Sequence, residues 1–176
     1  MRIRYDWKFY SFISLLILGM MILVLGKIFL FILIVVLTLV VSLLLRFFQP
    51  LKYIGIELVT LSTFLIGIAY GPVVGGLYGF SALLLHFIIG HYYIGHYVIW
   101  VIPEYVLIGV FSGILQNQII GFIVPIIIIL NLSNLFLTFL TDPERAGKHI
   151  PYVIGNTAIN SIIALQFFEQ ILGFIA

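Results

Sequence analysis

Two ionisable side chains stand inside otherwise apolar stretches of this chain: His86 in Ala82-Leu83-Leu84-Leu85-His86-Phe87, and Glu104 in Val101-Ile102-Pro103-Glu104-Tyr105. Ionisable groups are costly in an apolar medium, so their presence there points to function by default. Read as an antiparallel helical hairpin, the two stretches bring His86 and Glu104 to similar depth, where a hydrogen bond between them is expected. A carboxylate beside an imidazole can hold a proton, a cation or an amine. The same pair can also do no more than neutralise itself and fix the hairpin. Pro103 lacks a backbone N–H, which leaves a carbonyl one turn earlier open to a ligand or a side chain.

Amides form the second set. Asn131 and Asn134 are spaced i, i+3, and Asn156 and Asn160 i, i+4, with Gln166, Glu169 and Gln170 further along. Both spacings place the pair on one helical face. Amides away from water need partners, so these faces are expected to turn inward. They serve either hydrogen bonds between helices or a polar lining for a solute. The candidate substrate-binding residues are therefore Glu104, His86, Asn156, Asn160 and Asn131. Glu57 opens an apolar stretch and is expected to pair with Lys52 nearby.

Other chemistries lack their residues. No Cys is present, so disulfides and thiolate chemistry are impossible. His91 and His96 lie five apart, not the four that aligns metal ligands on one helix face, and match no zinc signature. With Tyr92 and Tyr93 they read as interfacial anchors, and no metal or other cofactor is expected. The metalloprotease, nucleophile-elbow and phosphate-loop patterns are absent, so no catalytic residue is assigned. Asp142 and Glu144 mix with Arg145, Lys148 and His149 in what reads as a solvated, self-paired loop.

These side chains must be carried by membrane helices. Of 176 residues, 64% are hydrophobic and 8% charged, with a mean hydropathy of +1.31. Soluble domains average roughly 45–50% apolar and about 25% charged. Too few polar side chains exist to cover a water-exposed surface, which excludes a soluble enzyme, a nucleic-acid-binding domain and a disordered chain. Lipid is the expected partner, and no basic block suits a phosphate backbone. The N-terminus is basic and then apolar, like a signal peptide. It lacks a small-residue cleavage site, and it reads as a retained first span.

A spanning helix needs about 20 apolar residues. Seven segments qualify: Phe9–Leu25, Ile28–Leu45, Gly55–Tyr70, Pro72–Ile89, Tyr97–Leu115, Ile119–Leu140 and Ile150–Phe174. One helix from Phe9 to Leu45 would run about 55 Å against a hydrocarbon core of about 30 Å, so a tight hairpin at Gly26-Lys27 is expected. The expected fold is a single all-α, multi-pass membrane bundle over residues 1–176, with six spans as the alternative. Basic residues agree with seven. A cytoplasmic N-terminus puts Arg2, Arg4, Lys8, Arg46, Lys52, Arg145 and Lys148 inside, Lys27 alone outside, and the C-terminus outside. Gly67, Gly71, Gly75 and Gly79 recur every four residues, and Gly109 and Gly113 repeat the spacing. Such stripes let backbones approach closely, either within the bundle or toward a ligand or a partner's helix.

The stretch Ile56-Glu57-Leu58-Val59-Thr60-Leu61 through Gly67-Ile68-Ala69-Tyr70-Gly71-Pro72-Val73-Val74-Gly75-Gly76-Leu77-Tyr78-Gly79 resembles the helix–Gly-Pro–helix hairpin of substrate-binding S components of energy-coupling-factor vitamin transporters. It is also similar to rod-shape-determining membrane proteins of the D type, which have a related helical architecture. The last segment, with Asn156 and Asn160, is loosely similar to the final S-component helix. The resemblance implies a solute-binding subunit without its own ATPase, six spans, and a Gly71-Pro72 turn facing the cytoplasm. The charge count instead gives seven spans with that turn outside. Small residues spaced by three, the S-component docking signature, are missing from Phe9–Leu25, which makes that segment an added helix or the orientation an unusual one. The expected function is small-molecule binding or transport at the cell membrane, together with other membrane subunits. The alternatives are a non-transporting scaffold of a membrane complex, docked through the glycine stripe, and an intramembrane lipid-modifying enzyme.

Overall fold

The computed structural model describes residues 7–173 and contains α-helices, one 3-10 segment and no strand among them. Arg2, Arg4 and Phe174, which the sequence assigns to the topology, lie outside the described residues. The helices are α1 (Trp7–Phe47), α2 (Gln49–Tyr53), α3 (Val59–Tyr70), α4 (Pro72–Ile89), α5 (Val98–Leu115), α6 (Ile123–Thr141) and α7 (Pro143–Gly173), with the 3-10 segment Gln116–Phe122 before α6. Among the described residues five stretches are long and apolar enough to cross a membrane: Gly26–Phe47, Pro72–Ile89, Val98–Leu115, Gln118–Thr141 and Pro143–Gly173. Phe9–Met20 and Val59–Tyr70 are apolar but shorter. At 1.5 Å per residue, Val59–Tyr70 covers about 18 Å of a core about 30 Å thick.

Polar and apolar residues are distributed as a lipid environment requires. Thr38, Ser42, Glu57, Thr60, Thr63, His86, Ser112, Asn131, Asn156 and Asn160 are buried, whereas Val73, Ile99, Phe136 and Leu165 are each more than 60% exposed. A water-soluble bundle would show the reverse. Most buried polar groups bond across helices, since no water competes there. Thr38 pairs with Tyr78 at 3.1 Å, Ser42 with His86 at 2.8 Å, and Thr60 with Tyr105 at 2.8 Å.

Two expectations are corrected. The break at Gly26-Lys27 is a kink at Gly26 (φ 35°, ψ −105°), inside a helix that continues to Phe47. It is not a packed hairpin: every described side chain from Trp7 to Leu18 is exposed. One residue cannot reverse a helix, and the positive φ that glycine tolerates gives only a change of direction. Thr141 to His149 is no loop either. Asp142 Oδ1 accepts the Arg145 N–H at 3.1 Å, Pro143 occupies the first helical position, and α7 starts there. The charged residues are the first turns of a 31-residue helix.

Gly67, Gly75, Gly79, Gly109 and Gly113 pack helices inside the bundle, the first of the two uses that their spacing allows. A methyl on Gly67 would stand 2.5 Å from the Gly109 carbonyl oxygen. One on Gly109 would fall on the Gly75 carbonyl, one on Gly79 on the Tyr105 carbonyl, and one on Gly113 on Gly71 and Pro72. Helices α3, α4 and α5 therefore meet backbone to backbone, which leaves these glycines no surface to offer a partner. Gly71 makes the turn between α3 and α4 at φ 89°, and Pro72 opens α4.

Candidate functional site

α7 carries a polar stripe along its whole first half. Arg145, Lys148, His149, Tyr152, Asn156 and Asn160 recur at three- and four-residue steps and so share one face. The face turns inward, because Asn156 and Asn160 are fully buried. Gly155 lets the Ile54 carbonyl settle onto α7, since any side chain there would strike it. That approach delivers the segment before α3, and with it Glu57, to the amides.

Glu57 is 2% exposed. Its Oε1 accepts from Asn156 Nδ2 at 3.1 Å and Asn160 Nδ2 at 3.0 Å, and its Oε2 accepts from the Thr60 backbone N–H at 2.9 Å. Asn156 Nδ2 also donates to the Gly55 carbonyl at 2.9 Å, and Asn131 Nδ2 donates to Asn156 Oδ1 at 2.9 Å. A carboxylate has about four acceptor positions, so one on Oε2 remains open. The expected Glu57–Lys52 pair is not formed. The Lys52 ammonium lies 4.8 Å over the Tyr92 ring and donates to the His91 carbonyl at 3.4 Å.

A cavity of about 380 Å³ lies against this carboxylate. Its inner wall is buried: Glu57, Val59, Leu83, His86, Phe87, Val101, Tyr105, Leu130, Asn131 and Thr138. Half-buried Lys52, Tyr92, Tyr97, Asn134, Arg145, His149 and Tyr152 form the middle, and exposed Gln49, Tyr53, His91, Tyr93 and Lys148 the rim. Each helix contributes a stripe at its own period, as with Val101 and Tyr105 on α5 or Asn131, Asn134 and Thr138 on α6. The volume lies within the range of small-molecule pockets, roughly 300–1,000 Å³. Burial raises the pKa of the Tyr92 phenol, with the Glu57 charge adding to the effect, and also raises that of Tyr97, against the pull of Arg145. Both phenols therefore keep their protons. Burial lowers the pKa of the Lys52 ammonium.

The candidate residues divide. His86 and Asn131 line the cavity, Asn156 and Asn160 stand behind Glu57, and Glu104 is elsewhere. The expected His86–Glu104 hydrogen bond is not formed. His86 Nδ1 pairs with Ser42 Oγ, whose single proton goes to the Thr38 carbonyl at 2.7 Å, which makes Nδ1 the donor. Glu104 accepts from Ser133 Oγ at 2.9 Å and Asn134 Nδ2 at 2.7 Å, joining α5 to α6. Similar depth did not bring the pair together because a helix presents each side chain at its own angle. Glu104→Gln should accordingly lower the melting temperature in detergent, by the equivalent of about 1 kcal/mol, and leave solute binding unchanged. His86→Gln should not reproduce it. Lost binding with unchanged melting would return Glu104 to the site.

No protein-family model, curated protein or solved structure matches the chain. The site is therefore read from its own residues. Among the described residues no three His, Asp or Glu side chains converge as metal ligands would. Sequence reading missed Glu57, Lys52, Arg145 and the tyrosines. For Arg145 a signal existed, since Thr-Asp-Pro-Glu is a helix start that orients the residues after it.

Proposed function

We propose that the chain is a membrane-embedded small-molecule binding subunit, similar in role to an S component, whose energy for transport comes from a partner or a gradient. The cavity carries this reading: a pocket of about 380 Å³ enters an apolar bundle and ends on a buried carboxylate held by two asparagines. Such a polar investment exceeds what helix packing needs, and convergent polar groups in an apolar pocket are the mark of a ligand site. No nucleotide-binding motif is present to supply energy from within.

We place the chain in the cell membrane with its C-terminus outside; seven spans with a cytoplasmic N-terminus would need the chain to reverse at Gly26, where the helix only kinks. Lys52, Arg145 and Lys148 all border the cavity, whereas the Lys27 carbonyl bonds the Tyr70 hydroxyl beside the Gly71-Pro72 turn. The excess of basic residues at the cavity end turns the cavity toward the cytoplasm. A reporter fused after Ala176 tests this orientation, and a cytoplasmic signal there would reverse it.

The scaffold reading draws on one observation, the apolar helix Phe9–Met20, whose described side chains are exposed through Leu18. Purification in mild detergent followed by native mass spectrometry separates the two. A retained solute of a few hundred daltons, lost when Tyr105 and Asn131 are both changed to Leu, supports solute binding. Stoichiometric membrane subunits with no solute favour the scaffold.

A further inference from the structure

Among the described residues, two cations beside the cavity form no ion pair. The Arg145 guanidinium lies 4.5 Å over the Tyr97 ring and 5.2 Å from the Tyr93 ring centre, and Lys52 rests over Tyr92. The acids near Arg145 in sequence are already engaged. Asp142 caps α7, and Glu144 pairs with Lys148 at 2.8 Å, the one ion pair among the described residues. Cation–π contact leaves the edge of a guanidinium free to donate, and its planar fork matches an acid group.

Further in, two buried polar atoms of the lining lack a hydrogen-bond partner: the Tyr92 hydroxyl and Asn134 Oδ1. Orphaned buried polar groups are rare and costly, so a pair of them in one cavity points to a ligand that satisfies them. At the inner wall, Glu57 has one acceptor position still open.

We infer that the cavity binds a planar organic acid, with its acid group on Arg145 and Lys52, its ring among the tyrosines, and an N–H or O–H donor directed to the Glu57 end. This rests on the reading of the cavity as a solute site and adds the charge and shape of the solute. The arrangement is polarised, with cations at the outer part and acceptors within, so it selects against organic cations and against acids that lack a donor. Lipid head groups such as phosphatidylglycerol supply an anion and hydroxyl donors but no planar ring.

The test uses the full chain in nanodiscs of phosphatidylcholine and three probes in equilibrium dialysis. Indole-3-acetate has the acid, the ring and an N–H; 1-naphthylacetate lacks the N–H; tryptamine replaces the acid with an ammonium. Indole-3-acetate should bind about tenfold or more tightly than either comparison. Arg145→Gln should weaken it by a similar factor while leaving the melting temperature within a degree or two of the parent. Lys52→Gln is the second variant, should Arg145→Gln fold poorly. Tighter binding of tryptamine, or binding of the acid indifferent to both variants, overturns the inference and leaves the solute-binding reading standing. The inference also fails if no probe binds at millimolar concentration, or if only phosphatidylglycerol is retained in an Arg145-dependent way. A purified chain that holds no solute of any kind would count against the reading beneath it.

Discussion

Replacing Glu57 with leucine should cost the fold about 3–5 kcal/mol, the largest loss expected from any single polar side chain in this protein. Leucine fills much of the same space, so the loss is one of acceptors. The Thr60 N–H and the Asn160 amide would lose the partners they have, and the Asn156 amide would keep only the Gly55 carbonyl. Each unpaired buried donor costs roughly 1–3 kcal/mol, because no water reaches it. Glu57→Gln should cost less than leucine, since one oxygen remains to accept while the new NH2 group faces existing donors. Adding Asn160→Asp to Glu57→Gln should recover part of that loss by restoring a donor opposite an acceptor. Equilibrium unfolding in mixed detergent micelles reads all three. A Glu57→Leu transition within about 0.5 kcal/mol of the parent's would show that the network does not hold α3 to α7.

Gly109→Ala should be comparably damaging, for a steric reason. The added methyl would occupy the position of the Gly75 carbonyl, and both residues are in helix interiors where the backbone cannot yield locally. Helices α4 and α5 would have to separate, opening voids along the remaining α3–α4–α5 contact. Overpacking in a close-packed core costs about 1–3 kcal/mol when side chains can adjust, and a backbone-on-backbone clash belongs at or above the top of that range. Gly147→Ala is the control. Nothing lies within 4 Å of a methyl there, and α7 should gain about 0.5–1 kcal/mol from the better helix former. Equal behaviour of the two variants would mean that the stripe is not a packing device.

The helices themselves were largely legible in the sequence. Pro72–Ile89 coincides with its expected span, and Val98–Leu115 and Ile123–Thr141 differ from theirs by a few residues at the ends. The largest discrepancy in a boundary is at α7. A run of five charged or titratable residues, Glu144, Arg145, Lys148, His149 and Asp142, reads as a loop when charge is the criterion. The Asp-Pro start overrides charge, because a satisfied cap and a pre-set φ start a helix whatever follows.

Composition pointed to lipid as the solvent, where a backbone is satisfied only as helices or closed barrels, and the length of the apolar segments selected helices. Local spacing determined that Asn156 and Asn160 share a face and that the glycines allow close approach. Tertiary structure decided which partner each face meets. Glu57 lies 99 and 103 residues from the asparagines that hold it, and no periodicity reports on a contact at that separation. The same holds for His86 and Glu104. Depth along a helix follows from counting residues, but the rotation of one helix about its axis relative to the next is set by packing. In this bundle that packing is the glycine contact of α3, α4 and α5 and the seating of Ile54 on Gly155. The cavity exists because those contacts bring the segment before α3, the stretch from Gly90 to Tyr97 and the first turns of α7 to one end of the bundle.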